Sequence, residues 1–361
     1  MEQLNLQSFH HSLGAQFTML NGIAMVANYG DPLPEQLALA KSVGILDLSY
    51  RGRFCVTGSD RVRFLHGQVT NDIKSLKTGE GCYAAIVSAK GKMQADVNIY
   101  HLPDELLLDF EPRLNSSLLQ RLEKFIIADD VQVVDVAGQY GLLSVQGPES
   151  EAVLRRMDLV AEVPARPFSF CSAADATLGE VYVMNRARLG TTGFDLFVPQ
   201  ASLETLFEKL VNLARLVEGR ACGWDSLETV RLEQGIPRFG VDMDENNFPH
   251  ECGIEGLALS YTKGCYIGQE VLNRIHTLGH VNRELRGLRL EEGLKILPKP
   301  REMLFRQGRE VGYITSAVTS QRLKANLALG YVRKECNEIG TELSLRTTDG
   351  DCTARIVATP F

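Results

Sequence analysis

The eight cysteines, at positions 55, 82, 171, 222, 252, 265, 336 and 352, include no C-x-x-C pair. Zinc ribbons and disulfide frameworks both rely on patterned cysteines, so neither is expected, and most of the thiols should be buried and reduced. An iron–sulfur cluster held by the chain itself would have to gather ligands from distant segments, which no spacing here supports. No apolar run approaches the roughly 18 residues that span a bilayer, and the first 40 residues contain no Lys or Arg. Neither a secretion signal nor an Arg-rich transit peptide is therefore expected, and the expected location is cytoplasmic, without a membrane partner. Basic charge is in deficit as well, at a net −7. That argues against a nucleic-acid partner while leaving room for a local basic pocket that takes a small anion. No P-loop occurs. Gly79-Glu80-Gly81-Cys82-Tyr83-Ala84 leads into a strand, not out of one into a helix, which excludes a dinucleotide site. His10, His11, His276 and His280 form no metal-binding pattern, so no metal is expected.

What is present is ordinary globular material. With 361 residues, 44% hydrophobic and 23% charged, the chain can build two or three domains around a large core. Residues 1–33 read as mixed and turn-rich. A helix is expected over 34–43, with Pro in its first turn and Gly44 as its C-cap. Strands follow at 53–57, 82–88, 95–101, 105–110 and 131–136, with a short helix after Ser59-Asp60 and an amphipathic helix carrying Leu114, Leu118, Leu122, Phe125 and Ile126. The same order then recurs: strands at 142–145, 179–185 and 194–198, and helices over 148–157 and 202–214. Helices alternating with short antiparallel strands predict an α+β architecture of two ferredoxin-like halves, about 1–136 and 137–235. A helix over 224–233 follows, with the lone Trp224 read as core at its head. A Gly-, Pro- and Asn-bearing connection, 236–282, comes next. Closely spaced glycines after Glu284 predict a small β-barrel over 283–361.

One stretch reads as a site. In Lys263-Gly264-Cys265-Tyr266-Ile267-Gly268-Gln269-Glu270 a thiol sits between two glycines, with a lysine two residues upstream. Glycine permits positive φ or close approach of backbone, and a neighbouring cation favours the reactive thiolate. The alternative is a Gly-flanked entry into the following helix, with Cys265 as a small buried hydrophobe. Asp96 lies in the alternating run Ala95-Asp96-Val97-Asn98-Ile99-Tyr100. It is either a solvent-facing carboxylate or one aimed into a cleft, able to orient or deprotonate an amine. Glu251, in Phe248-Pro249-His250-Glu251, is either a solvated turn residue or a bidentate acceptor for an amino-pyrimidine edge.

The stretch Lys263–Glu270 resembles the signature K-G-C-[FY]-x-G-Q-E of the YgfZ-type folate-binding proteins, a branch of the superfamily of the glycine-cleavage T-protein, a tetrahydrofolate-dependent aminomethyltransferase. Gly44–Ser49, Val56–Asp60 and Thr70-Asn71-Asp72 resemble the N-terminal block of that superfamily. Arg188–Asp195 resembles a shortened R-T-G-Y-T-G-E-D-G-F-E motif, and Gly312–Ser316 with Ala328–Val332 resembles the barrel signature. The resemblance implies a folate-binding T-protein-like region over 1–282, a C-terminal barrel, and tetrahydrofolate or a one-carbon derivative as cofactor. It also implies help in the assembly or repair of iron–sulfur clusters, with client proteins or assembly factors as partners. Gly91–Asp96 falls where the transferase has G-G-I-x-D-D, and Asp96 matches its catalytic second Asp. Glu251 matches the pterin-gripping Glu of P-x-E. Cys265 is implied as a chemically active residue, and Lys263, Gly264, Tyr266, Gly268, Gln269 and Glu270 as its loop. Three positions depart from the transferase pattern. Ala95 replaces its first Asp, its asparagine falls within Asp109-Phe110-Glu111-Pro112, and Arg51 stands where relatives place an apolar or aromatic residue. The departures favour the YgfZ branch over aminomethyl transfer.

Overall fold

The strands Gly179–Asn185 and Gly193–Pro199 pair in antiparallel register, Val183 opposite Leu196, inside a six-stranded sheet. The order is Phe170–Asp175, Gly179–Asn185, Gly193–Pro199, Tyr140–Gln146, Gly44–Asp47, Arg220–Ala221, with only the last pair parallel. The computed structural model describes residues 6–20, 22–294, 296–347 and 350–361. The chain divides into two units. The first contains the residues up to Phe64, Ile73–Cys82 and Val97–Val230; the second contains Leu65–Asp72, Tyr83–Asp96 and Arg231–Phe361.

In the first unit the six-stranded sheet is covered by helices because their apolar residues recur at three- and four-residue spacing. The helix Leu203–Arg215 buries Leu203, Leu206, Phe207, Leu210, Val211 and Ala214. They join Val145, Phe194 and Leu196 of the sheet, and Val153, Leu154 and Met157 of helix Ser150–Met157, in one core. A five-stranded antiparallel sheet has the order Gly81–Val87, Met93–His101, Leu106–Phe110, Gly52–Thr57, Gln132–Asp135. Every residue of Leu106–Phe110 is buried, so that strand is covered on both faces. Its neighbour Met93–His101 buries Asn98 and Tyr100 as well as the alternate Val97 and Ile99, so the simple in-and-out alternation expected there does not hold. Residues 83–87 of the first of these strands and 93–96 of the second belong to the second unit.

The second unit carries a closed barrel in the order Arg283–Leu290, Ala325–Arg333, Arg309–Ser320, Met303–Arg306, Glu342–Thr347, Gly350–Val357. Alternating burial along Glu342–Thr347 and Gly350–Val357 turns Leu343, Leu345, Cys352, Ala354 and Ile356 into its interior. The expected α+β fold with a terminal barrel is thus the fold found.

Three local expectations need correction. The described part of the N-terminal segment is not irregular: it holds helix Gln7–Ser12 and the paired strands Gln16–Leu20 and Ile23–Asn28. The helix expected over 34–43 runs Pro32–Lys41, because the Asp31 side chain accepts a hydrogen bond from Leu33 N at 3.0 Å and caps it earlier. Gly44 opens a strand and is not the cap. The helix expected to reach Ile126 ends at Glu123. Of the cysteines, Cys55, Cys222, Cys252, Cys336 and Cys352 are buried, Cys82 and Cys171 are intermediate and Cys265 is exposed; all are free. No helix among the described residues is long and apolar enough to cross a membrane.

Candidate functional site

The candidate site residues Asp96, Glu251 and Lys263–Glu270 all lie in the second unit. Asp96 sits on the strand Met93–His101 and accepts a hydrogen bond at Oδ2 from the Tyr83 hydroxyl of the strand Gly81–Val87, at 2.9 Å. It is half-buried, so it is not a solvent-facing carboxylate. The start of this strand is tied to the loop that carries Glu251. Met93 N donates to Asn247 O at 3.0 Å, and Lys92 donates to Asn246 O at 2.9 Å while its Nζ stands 3.3 Å from the centre of the Phe248 ring. Burial there pulls the Lys92 ammonium below its usual range. Asp96 is three residues beyond Met93, roughly 10 Å along the strand.

Glu251 is 6% exposed, against the expectation for a turn glutamate. Its Oε2 accepts from Phe248 N at 2.9 Å and its Oε1 from Arg283 Nε at 3.2 Å. A buried carboxylate needs such partners, and Arg283 supplies the compensating charge. Burial would pull the Arg283 guanidinium down, but Glu251 beside it, together with Tyr313 and Tyr331, more than offsets that effect and raises it. Arg283 also lies against the rings of Tyr331 and Tyr313, 5.1 and 5.6 Å from their centres. These three residues line a cavity of about 540 Å³ together with His280, Arg333 and Lys334. Glu310 and Glu335 are also on its wall, so the cavity is aromatic with mixed charge, and Arg283 connects it to Glu251. Asp96 and Cys265 are not among its lining residues.

The signature loop is built differently from its simplest reading. Lys263 is 7% exposed, and its ammonium donates to the carbonyls of His66, Val69 and Asn71 at 2.6, 2.7 and 2.9 Å. It clamps the end of helix Arg61–Gln68 and the turn after it, where a cation also complements the helix dipole. Gly268 has φ +85°, and a Cβ there would lie 2.5 Å from Ser88 O, so glycine is required. Gly264 has neither a positive φ nor a clash, since an added Cβ would meet only His66 Nε2 at 3.6 Å. The expectation of two conformationally required glycines holds for one.

Between them Cys265 is exposed, which removes the reading of it as a small buried hydrophobe. Tyr266 points inward beneath Lys263, whose Nζ is 4.8 Å from the ring centre, and burial pushes its hydroxyl up to about 12. Gln269 Nε2 reaches Lys263 O at 3.5 Å, and the exposed Glu270 occupies the first turn of helix Gln269–Leu278, where a carboxylate suits the dipole. On that helix His276 stacks on Tyr261, with ring centres 3.7 Å apart, and the Tyr261 hydroxyl bonds to His250 Nε2 at 2.9 Å. Burial first, then the nearby His276, pulls the His250 imidazole down to about 4. Among the described residues no group of His, Cys, Asp or Glu is disposed to hold a metal ion.

The first unit holds a buried ionic network that the sequence did not announce. Asp109 accepts from Arg51 Nε and Arg188 Nη2, both at 2.7 Å, and from Asn98 Nδ2 at 2.8 Å. Arg188 also bonds Asp195 through Nε, at 3.0 and 2.9 Å, and Arg51 pairs with Glu111. Burial would raise the Asp109 carboxyl, but Arg51 and Arg188 override it and hold the group well below the usual range. Arg51 is therefore paired with Asp109, which lies in the stretch Asp109–Pro112.

Comparisons place these features among known proteins. The model of the GCVT N-terminal domain matches residues 6–260, and that of the glycine cleavage T-protein C-terminal barrel domain matches 283–361. Similar curated proteins include the aminomethyltransferase of Halalkalibacterium halodurans, 26% identical over 100% of this chain and 98% of the relative. The aminomethyltransferase of Thermotoga maritima is 30% identical, again over 100% and 98%. Among solved structures, the glycine cleavage system aminomethyltransferase T of Bartonella henselae superposes with a TM-score of 0.89 at 21% identity, covering 99% of this chain and 97% of that one.

Proposed function

The chain belongs to the glycine-cleavage T-protein family, and on that premise we propose that it is a tetrahydrofolate-binding protein of the YgfZ type that assists iron–sulfur cluster assembly or repair in client proteins. Aminomethyltransferases of this family use tetrahydrofolate, and the residues of the second unit suit that group. Two carboxylates, Asp96 and Glu251, are fixed by Tyr83, Phe248 N and Arg283, and a carboxylate matches the donor edge of a pterin. Arg283, Arg333 and Lys334 offer cations to the anionic glutamate tail. Bound tetrahydrofolate would carry the one-carbon group, while Asp96 would accept or orient a proton at an amine nitrogen and Glu251 would fix the ring.

The observation that carries the choice of branch is the exposed Cys265 in its signature loop. Arg51, which departs from the transferase pattern, is buried and paired with Asp109, so the departure is accommodated in the interior. A buried charge left without its partner would cost several kcal/mol, of order 3–5. Cys265 would act at the loop surface, where a client could reach it.

Aminomethyl transfer is the second reading, favoured by the names of the relatives and by the retention of Asp96 and Glu251. Incubation with tetrahydrofolate and methylamine donors separates the two. No methylene-tetrahydrofolate is expected above the protein-free rate; turnover would establish the transferase.

A further inference from the structure

Apart from the carboxylates and the cysteine loop of the second unit, a cavity of about 110 Å³ lies between strands of the first. One side of it is aromatic. Tyr182, on the strand Gly179–Asn185, and Phe197, on Gly193–Pro199, are opposite in register and so share a face. Tyr140 stands edge to face with Tyr182, their ring centres 6.4 Å apart. The other side comes from the strands Gly52–Thr57 and Leu106–Phe110, where Cys55 is opposite Leu107. Glu105, one residue before the second of these strands, brings a half-buried carboxylate to the wall.

A second carboxylate stands close by. The Tyr182 hydroxyl hydrogen-bonds to Glu180, and burial first, then Glu180 and Glu105, pushes the hydroxyls of both Tyr140 and Tyr182 above their usual range. Two carboxylates therefore act on the same pair of rings. The cation on the wall, Arg53, is engaged elsewhere. Its Nη2 donates to Ser49 O and Ala137 O, both at 2.9 Å, its Nε and Nη1 have no accessible surface, and Asp109, Asp47 and Asp135 act on its charge. The cavity thus combines aromatic and hydrocarbon walls with negative charge at the tyrosine end. An anion would be repelled there, and a primary ammonium would bring three donors to walls that have few acceptors. A fully methylated ammonium has no donor to satisfy, and ring faces with a carboxylate nearby attract it.

We infer that this cavity binds the head of a quaternary ammonium compound, a trimethylammonium group against Tyr140, Tyr182 and Phe197 with its charge facing Glu105. Glu180 adds negative charge at the Tyr182 end. Gln139, which is on the wall and exposed, marks the side open to solvent, where the rest of the molecule leaves. The site is separate from the tetrahydrofolate reading, which rests on residues of the second unit.

The test uses the full chain and its thermal unfolding with choline chloride. The controls are sodium chloride at equal ionic strength and dimethylbutanol, the neutral isostere with carbon in place of the charged nitrogen. Choline is expected to raise the unfolding midpoint saturably and dimethylbutanol to leave it unchanged, because a ligand of the folded state stabilises it. Glu105→Gln and Tyr182→Leu should each weaken the choline response by about tenfold, while Tyr182→Phe, which keeps the ring, should stay within about twofold. Tetrahydrofolate heats should be the same in Glu105→Gln and wild type, so either idea can fail alone. Equal midpoints in choline and chloride, an equal rise with dimethylbutanol, or an undiminished response in Glu105→Gln and Tyr182→Leu would overturn the assignment. If these variants do not fold, choline-soaked crystals of the wild type decide. A trimethylammonium group against the Tyr140 and Tyr182 rings supports the site, and ordered water alone refutes it.

Discussion

Cys265 is the residue whose placement changes most between sequence and structure. The sequence left it open between a reactive thiol and a packed one, and exposure decides against packing. Cys265→Ala should therefore alter stability by no more than about 0.5 kcal/mol, the usual range at exposed positions away from special contacts. Chemical denaturation would measure this, while a client-cluster maturation assay with the same variant should show loss of function; full activity would leave Cys265 without a role. His250 gives a second residue-level test. Its folded-state pKa of about 4 lies below its ordinary value of 6.5. As pH falls below 6.5 the unfolded chain takes up a proton that the folded chain refuses until about pH 4, so stability is expected to decline across that window and to be unaffected by this group above it. Denaturation midpoints of wild type and His250→Gln from pH 7 to 4 check the sign: the variant should show the shallower decline. Asp96 and Glu251 could be picked out in the sequence, but their holders could not. Tyr83 is 13 residues from Asp96 and Arg283 is 32 from Glu251, and only the fold brings each pair together.

At the scale of elements, strongly periodic segments were legible and weakly patterned ones were not. The helix Leu203–Arg215 declares itself by its apolar spacing. Phe170–Asp175 carries little strand signal, because Phe-Cys-Ser-Ala-Ala-Asp has no β-branched residue and gains its strand from pairing with Gly179–Asn185. The hairpin of Gln16–Leu20 with Ile23–Asn28 does have a signal in the sequence, since an Asn-Gly dipeptide is a strong turn marker. Within the signature loop, Gly268 is the glycine that the backbone demands. Gly268→Ala combines a left-handed conformation with a Cβ against Ser88 O. A loss of about 2 kcal/mol or more is expected in urea unfolding, of which 1–2 is the usual cost of that conformation. Gly264→Ala should be nearly silent, which makes it the internal control.

At the scale of the whole molecule, family and barrel were readable because motifs along most of the chain agree with one another, and the family models cover 6–260 and 283–361. The network around Asp109 was not readable, because its members, Arg51, Asn98, Arg188 and Asp195, are spread over two sheets' worth of sequence. The claim on which the rest depends is that Glu251 and Asp96 hold tetrahydrofolate. Titration calorimetry with tetrahydrofolate tests it most directly, comparing wild type with Glu251→Gln. A saturable heat is expected for the wild type, with affinity lower by about tenfold or more in the variant, since one charge-assisted contact is lost. No heat with the wild type, or equal affinity in both, would contradict it.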